Sequence, residues 1–335
     1  MLRFIVRRLL QLVLVVFVLS LLLFAWLRAL PGGVVSAMLG ERATPESREA
    51  LTRALGLDEP LPVQYLTYLG RAIRGDFGVS TKVQVGTPAL DIFVERFPAT
   101  IELTVVALLI AIGLALPLGY LAARRRASIF DNLSIVGSLI GVAVPVFFLA
   151  FLLKYVFAQE LGWLPGSGRQ EVDDATRVTG FFVLDGLLTR EWDAAWDALK
   201  HLILPGITLA TIPFAMIFRI TRASVLDVLD EDYVRTAQSK GLTQRVVRGR
   251  HVMRNALLPI LTAIGLQVGA LLAGAVLTET VYNINGIGKA LADSFSSRDF
   301  PVLQVLILVA AGTYVLVNLV VDVLYAVVDP RVRTR

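Results

Sequence analysis

Few residues of this chain have the types and spacing that enzyme chemistry requires. The stretch NINGIGKA, residues 283–290, contains Gly288 and Lys289, a pair that also closes phosphate-binding loops. Such a loop needs an earlier glycine at the place held here by Asn283, and a serine or threonine at the place held by Ala290. The sequence therefore argues against nucleotide binding by this chain.

Residues suited to metal binding or covalent catalysis are equally scarce in the sequence. The chain has no cysteine, which excludes disulfides and thiolate metal sites, and its two histidines, His201 and His251, lie far apart. No nucleophile elbow, zinc-binding helix or calcium loop occurs. We therefore expect no catalytic residue, no bound metal ion and no cofactor in this chain, and we predict that it is not an enzyme.

Polar residues inside otherwise apolar runs are the remaining chemical candidates. Gln267, Asn318 and Asp322 lie well inside such runs. Polar side chains are costly in hydrocarbon, and they commonly line a transport path or hydrogen-bond a neighbouring helix. We predict that these three residues are candidates for a translocation pathway, with structural hydrogen bonding as the alternative.

The elements that must position these residues are membrane-spanning helices. Hydrophobic residues make up 56% of the chain, charged residues 18%, and the mean hydropathy is +0.71. Soluble domains carry about 25% charged residues. Six apolar runs approach or exceed the roughly 20 residues that a spanning helix needs. They are residues 9–30, 101–123, 133–158, 202–220, 257–281 and 302–328, with Pro205 and Pro213 interrupting the fourth.

The topology follows from the arginines and lysines. They concentrate at residues 3–8, 124–126, 222–254 and 331–335, whereas the alternate loops are balanced in charge. The positive-inside rule then places both termini in the cytoplasm. We predict an all-α integral membrane fold of six spans. Its parts are the N-terminus and first span (1–30), an extracytoplasmic segment (31–98), and a core of five spans (99–335) with a cytoplasmic loop (222–256).

Two further sets of residues have predicted places. Gly265, Gly269 and Ala273 recur every fourth residue in the fifth run, which lets helix backbones approach closely. Their contact lies either within this subunit or along a seam between subunits. The charged residues near run ends are expected to reach water; they are Glu102, Lys154 and Glu279.

The most strongly patterned polar stretch reads EDYVRTAQSKGLTQRVVRGRHVMRNALLPIL. We predict a first helix that has Asp230 as its N-cap and ends at Gly241, because glycine tolerates a left-handed backbone. Thr243 begins a second helix that runs to about Asn255, and Pro259 then opens the fifth span. The stretch therefore forms a helical hairpin on the inner membrane face.

The charge of this hairpin has two interpretations. It carries six basic residues between positions 235 and 254. Charge alone is compatible with contact to anionic lipid. The ordered helix signals, together with small residues at Ala237 and Gly241, favour docking into a groove of another protein.

Two segments of the hairpin, DYVRTAQSKGL and HVMRNALLP, resemble the EAA loop of ABC importer permeases, in the version of the dipeptide/oligopeptide branch. The likeness extends over nearly the whole chain. It includes RRLLQLVLVVFVLSLLLFAWLRALPG, TPESREALTRALGLDEPLPVQYLTYLGRAIRGDFGVS, ERFPATIELT, ETVYNINGIGKALADSFSSRDFPVLQ and LVNLVVDVLYAVVDPRVR. The generic Glu-Ala-Ala opening is Arg235-Thr236-Ala237 here, and residues 159–200 look more divergent than the rest.

The resemblance implies a type I importer permease fold and a subunit of an ATP-driven importer for di- and oligopeptides in the cell inner membrane. Expected partners are membrane lipid, a second and usually different permease, two cytoplasmic ATPases that bind ATP and Mg²⁺, and an extracytoplasmic binding protein. The first helix of the hairpin becomes a coupling helix that sits in an ATPase groove. Its predicted coupling residues are Asp232, Tyr233, Arg235, Thr236, Ala237, Lys240 and Gly241.

Three other functions compete with this one. Some permeases of the same family carry non-peptide solutes such as nickel or opines. An ion-coupled secondary transporter would show inverted repeats and ionisable groups at broken helices near the membrane midplane. The sequence contains no such repeat, and its only deep acid is Asp322. A membrane anchor or receptor without transport is the third alternative.

Overall fold

The described part of the chain is helical, which confirms the predicted all-α class. A computed structural model describes residues 2–29, 35–36, 39, 44–54 and 56–328, apart from the side chains of 2–5, 54, 273 and 320–328. Within these ranges the only β-type pairing is an isolated antiparallel bridge between Val79 and Pro88.

The helices of the described ranges are named in chain order. They are α1 (Leu2–Ala29), α2 (Pro45–Ala54), α3 (Leu61–Ile73), α4 (Ala89–Arg124), α5 (Ile129–Ala143), α6 (Val146–Leu153), α7 (Phe182–Thr189), α8 (Trp192–Leu229), α9 (Asp232–Ser239), α10 (Gln244–Val246), α11 (Arg254–Val281), α12 (Ile287–Ser297) and α13 (Phe300–Val328). Two π-helical stretches, Lys154–Glu160 and Val247–Met253, continue α6 and join α10 to α11.

Five helical stretches in the described ranges are long and apolar enough to cross a membrane. They are Val6–Ala29, Ala89–Arg124, Trp192–Leu229, Gln244–Leu272 and Phe300–Leu319. The remaining predicted span corresponds to α5 and α6 with its π-helical continuation, and this pair is bent by 102°. The bend lies at Pro145, which lacks an N–H donor and keeps Val144 extended at ψ 123°. Counted as one span, the pair brings the number to six.

Contacts of the bent pair show how far it runs along α8. Near its start, Asp131 pairs with Arg222 of α8. Beyond the bend, the Ala150 carbonyl accepts a hydrogen bond from the hydroxyl of Tyr282, which also lies 3.1 Å from the Thr208 hydroxyl of α8. Fourteen residues of α8 separate these contacts, or about 21 Å of helix axis. The pair therefore follows α8 over this length, which is shorter than the roughly 30 Å thickness of a hydrocarbon layer.

Proline does not break α8. The helix continues through both Pro205 and Pro213. Proline is tolerated in membrane helices because neighbouring groups satisfy the freed backbone. The fourth predicted run is therefore confirmed as part of one continuous helix, although two prolines interrupt its apolar sequence.

The chain packs as two compact units. The first contains described residues of Met1–Pro98 and Asn285–Leu319, and the second those of Ala99–Ile284 and Val320–Arg335. The predicted segments refer to membrane topology, whereas these units are groups of residues that pack together. The first unit has two small apolar clusters, around Ile92 with Val305 and around Leu27 with Leu303.

The core of the second unit relies on small residues along α4. A buried stripe recurs every fourth residue. Its members are Ala99, Leu103, Ala107, Ala111 and Ala115. One turn further, a Cβ added at Gly119 would lie 2.9 Å from the Thr221 Cβ and 3.0 Å from the Phe218 carbonyl of α8. Small side chains therefore bring α4 and α8 into close contact.

Candidate functional site

The hairpin between α8 and α11 begins almost without a linker. Asp230 still belongs to the end of α8, because its N–H bonds the Leu226 carbonyl. Glu231 is extended, and its carbonyl accepts the first hydrogen bond of α9 from the Val234 N–H at 3.0 Å. The predicted N-cap at Asp230 is therefore wrong: only Asp230 and Glu231 lie between the two helices, and the N-cap residue Glu231 contributes no side-chain cap.

One face of α9 is buried in the chain's own core. Val234 and Ala237, three residues apart, pack in the same apolar cluster as Val247, Val252 and Ala256. This packing holds the two arms of the hairpin together. Ala237, predicted as a coupling contact, faces inward and holds α9 in place, so it is not part of the exposed surface.

Gly241 ends α9, as its position in the sequence predicts. Its φ of +75° is a left-handed conformation, which side chains other than glycine rarely adopt. The N–H groups of Gly241 and Leu242 bond the carbonyls of Gln238 and Ala237 at 2.9 and 3.3 Å. This glycine closes the helix and reverses the chain toward the second arm.

The second arm differs from its prediction. It starts after Thr243, whose carbonyl accepts from the Val246 N–H at 2.9 Å. It then continues through the π-helical stretch into α11 without a break, and Pro259 lies inside that helix. The predicted stop near Asn255 and restart at Pro259 are wrong. A proline costs one backbone hydrogen bond, and the buried Ala256 and Ile260 beside it keep the helix packed.

The outer face of the hairpin combines exposed apolar and basic side chains. Tyr233 is fixed by a 3.0 Å hydrogen bond that its hydroxyl accepts from the Asn255 amide. Leu242 and Val246 are also exposed. We name this face the docking surface. It consists of Asp232, Tyr233, Arg235, Thr236, Lys240, Gly241, Leu242, Arg245 and Val246. Exposed apolar side chains together with three cations, Arg235, Lys240 and Arg245, are suited to a protein groove with acidic edges.

The predicted pathway residues fall in different parts of the fold. Gln267 is largely buried in the second unit, and Asn318 is half-buried in the first. The side chain of Asp322 lies outside the described residues. Throughout the described ranges, no group of three or more histidine, aspartate and glutamate side chains is placed to hold a metal ion.

The small residues of α11 are turned toward the chain itself. Gly265 and Gly269 are both buried, which favours packing within the subunit at these two positions. The side chain of Ala273 lies outside the described residues.

One ion pair beside the hairpin was not predicted. Arg222 of α8 binds Asp131 of α5 with two hydrogen bonds of 2.6 and 2.7 Å, and Asp131 is only 1% exposed. The Ala127 N–H adds a third bond of 3.0 Å to the same carboxylate. A sequence signal exists for the helix start: Ser128 caps α5 by accepting a hydrogen bond from the Asp131 N–H at 3.2 Å. The sequence contains no signal for the arginine.

Glu102 anchors the segment that follows α6. It accepts 2.9 Å and 2.8 Å hydrogen bonds from Arg169 and from the Val183 N–H. Burial lowers the pKa of Arg169, and the nearby charge of Glu102 opposes this shift. Glu102 and Glu279 are both buried, so the expectation that they reach water is wrong. Lys154, partly buried, donates to the Val281 carbonyl at 3.0 Å.

Asp299 fastens the loop of residues 80–83 in the first unit. One of its carboxylate oxygens accepts from the Ser80 hydroxyl at 2.6 Å and from the N–H groups of Thr81, Lys82 and Val83 at 3.1, 2.9 and 2.9 Å. Asp299 is fully buried. Its role was missed because nothing local in the sequence connects it to residues 80–83.

Asp299→Ala is expected to lower the free energy of unfolding by about 3 kcal/mol, because it leaves four donors without their charged acceptor. The measurement is thermal unfolding of the purified complex in detergent. Asp293→Ala is the matched control, since Asp293 is half-exposed and forms an i,i+4 pair with Lys289 at 3.5 Å. The control is expected to cost less than about 0.5 kcal/mol. Equal effects of the two substitutions would contradict the anchoring role.

Two family models together match almost the whole chain. Residues 115–334 match the model described as binding-protein-dependent transport system inner membrane component. Residues 1–104 match the model of the N-terminal part of binding-protein-dependent transport system membrane components.

Relatives of known name match over their full length. The dipeptide transport system permease protein DppB of Alkalihalophilus pseudofirmus is 43% identical, covering 99% of this chain and 100% of the relative. The di/tripeptide transport system permease protein DppB of Pseudomonas aeruginosa is 47% identical, with 99% of both chains covered. The glutathione transport system permease protein GsiC of Escherichia coli is 38% identical, again with 99% of both covered.

A solved structure shares the fold at low identity. The inward-facing MetNI methionine ABC transporter matches with a TM-score of 0.54 and 13% identity, covering 71% of this chain and 96% of the solved chain. The likeness supports the type I importer permease fold that the sequence predicts.

Proposed function

Because the chain belongs to the family of binding-protein-dependent transport system inner membrane components, we propose that it is the permease subunit of an ATP-driven importer of di- and oligopeptides. The relatives named for dipeptide, di/tripeptide and glutathione transport support a peptide as the solute. The observation that carries the coupling role is the docking surface, an exposed basic and apolar face on a firmly packed hairpin.

The proposed assembly contains five kinds of component besides lipid: this chain, a second and different permease, two ATPase subunits, the ATP and Mg²⁺ that they bind, and an extracytoplasmic binding protein. This chain itself binds no cofactor. Its basic segments favour a topology with both termini in the cytoplasm. The docking surface then faces the ATPases on the inner side of the membrane.

The hairpin is suited to transmit movement. One arm follows α8 almost directly, and the other continues into α11. These two helices are also joined further along, where the Thr208 and Tyr282 hydroxyls lie 3.1 Å apart and a Cβ added at Gly274 would meet Leu209 at 3.4 Å. A displacement of the docking surface therefore moves α8 and α11 together, which is rigid-body coupling.

Charge reversal tests this proposal. The double substitution Arg235→Glu with Lys240→Glu is expected to weaken association with the ATPases roughly tenfold or more, because both cations are predicted to face an acidic groove edge. Co-purification of the ATPases and ATP-dependent dipeptide uptake by proteoliposomes are the two measurements. Arg48→Glu, at an exposed arginine of α2, is the control for a change of net charge.

The outcomes separate coupling from substrate. Unchanged ATPase association and unchanged uptake in the double variant would overturn the docking role. If the unmodified complex binds its ATPases and hydrolyses ATP but takes up no dipeptide, the peptide assignment is overturned and the docking role stays intact.

A further inference from the structure

Helix α3 lies beside the middle of the first span, well before the residue at which that span ends. The Tyr65 hydroxyl is 2.9 Å from the Ser20 hydroxyl, and the Tyr65 ring lies 6.2 and 5.1 Å from the rings of Phe17 and Phe24. Ser20 precedes Ala29, where α1 ends, by nine residues, or about 13 Å of helix axis. Because the hydrocarbon layer is about 30 Å thick, this part of α3 lies at the depth of lipid chains.

The residues of α3 divide into two stripes. Pro62, Leu66, Leu69 and Ile73 follow one another at intervals of four, three and four residues, which places them on one face of a helix. Leu66 is 66% exposed and Ile73 78% exposed, so this apolar stripe is not covered by the chain.

The second stripe is polar. Gln64, Thr67 and Arg71 follow at intervals of three and four residues and line a cavity of about 610 Å³. Arg28 and Asp76 line the same cavity. Arg71 donates to Asp76 at 2.8 Å, and Arg28 to Gln64 at 2.8 Å. The charged and amide side chains near α3 therefore lie around this cavity, apart from the apolar stripe.

The apolar stripe continues into a groove of about 630 Å³. Its other walls are residues of α1 between Leu12 and Ser20 and residues of α13 between Leu308 and Leu316. Both helices are candidate spans, and these residues belong to their middle parts. The groove thus opens at hydrocarbon depth, where the surrounding medium consists of acyl chains.

The two hydroxyl groups of the groove, on Ser20 and Thr313, have hydrogen-bond acceptors within the protein. Both hydroxyls donate within their own helices, from Ser20 to the Phe17 carbonyl at 2.7 Å and from Thr313 to the Val309 carbonyl at 2.8 Å. A groove with satisfied polar groups and otherwise aliphatic and aromatic walls suits a hydrocarbon chain.

From these observations we infer that α3, although it belongs to the segment between the first and second spans, is immersed in the membrane and contacts lipid. Leu66 and Ile73 face acyl chains, and one chain lies in the groove between α1, α3 and α13. The polar stripe faces an aqueous cavity that reaches below the membrane surface. Immersion of α3 follows from contacts within the first unit and does not depend on the coupling role proposed for the hairpin.

The absence of cysteine from the chain allows a direct test with single-cysteine variants carrying a nitroxide label. Labels at Leu66 and Ile73 report on the apolar stripe. A label at Thr67, on the polar stripe of the same helix, is the matched control, and one at Val85, which lines the same cavity and is 77% exposed, reports on access from water. The assembled complex is placed in lipid nanodiscs, and relaxation of each label by oxygen and by a water-soluble nickel chelate is measured.

Immersion predicts that oxygen relaxes the labels at Leu66 and Ile73 more strongly than the chelate does, with the reverse order at Thr67 and Val85. Chelate access at Leu66 and Ile73 equal to that at Val85 would overturn the inference in favour of an aqueous helix. Labels at Leu66 and Ile73 that are immobile and shielded from both reagents would overturn it in favour of a protein partner. Because all four positions are exposed or partly exposed, the substitutions leave the core intact.

Discussion

Gly241→Val is expected to impair coupled transport, with ATP-dependent uptake decreasing roughly tenfold or more while the chain still inserts. Gly241 has a φ of +75°, a conformation that costs an L-residue about 1–2 kcal/mol and is a strong outlier for β-branched side chains. A Cβ at this position meets no atom within 4 Å, so the cost arises from the backbone alone. The strain is relieved by moving residues 240–242, which displaces the docking surface.

Two control variants separate backbone conformation from side-chain bulk. Gly241→Asn should retain much of the uptake, because asparagine tolerates the left-handed region. Gly249→Ala should behave as the unmodified protein, since Gly249 lies in the helical second arm, has no positive φ and has open space around it. Uptake and ATPase co-purification are measured together. Normal uptake by the Gly241→Val complex would show that this turn is not needed for coupling.

Asp131→Ala is expected to lower the free energy of unfolding by about 3–5 kcal/mol, because it leaves the Arg222 guanidinium without its bidentate partner in a largely buried place. Thermal unfolding of the complex in detergent measures this loss. Arg53→Ala provides the comparison, since Arg53 and Glu49 form an i,i+4 pair that is 72% exposed on both sides. Its removal should cost less than about 0.5 kcal/mol.

Exchanging the two charges tests whether stability depends only on an ion pair between these positions or also on which position carries the carboxylate. The double variant Asp131→Arg with Arg222→Asp should recover part of the lost stability and no more. The first turn of α5 favours an anion, and the Ala127 N–H requires an acceptor at position 131. Full recovery would contradict this role of the helix start. A loss in Asp131→Ala as small as that in Arg53→Ala would contradict the importance of the pair itself.

Local patterns in the chain predicted much of this architecture. The apolar runs correspond to long helices because the length of a hydrophobic segment is a property of that segment alone. Gly241 ends α9 because the left-handed backbone that closes a helix is chiefly accessible to glycine. The exposed basic residues of the hairpin followed from charge, which prefers water wherever the chain folds.

Burial that depends on neighbours distant in sequence was not predicted. Ala237 is buried because the second arm of the hairpin covers it, and Glu102 is buried because Arg169 and the start of α7 meet it. The predicted boundary at Pro259 failed for a related reason. Packing around a proline outweighs the cost of its missing donor, and the sequence around the proline does not show that packing.

The sequence by itself determined the membrane character, the helical class and the turn at Gly241, since hydrophobicity, periodicity and glycine stereochemistry act within a few residues. Only the tertiary structure decided which polar groups meet. Asp299 and Ser80 are 219 residues apart, and Arg222 and Asp131 are 91 apart. It also decided that α3 lies beside the middle of the first span. Such pairings depend on how the helices pack. The free energy that selects a pairing is shared among many contacts, so the sequence of any single segment does not reveal the pairing.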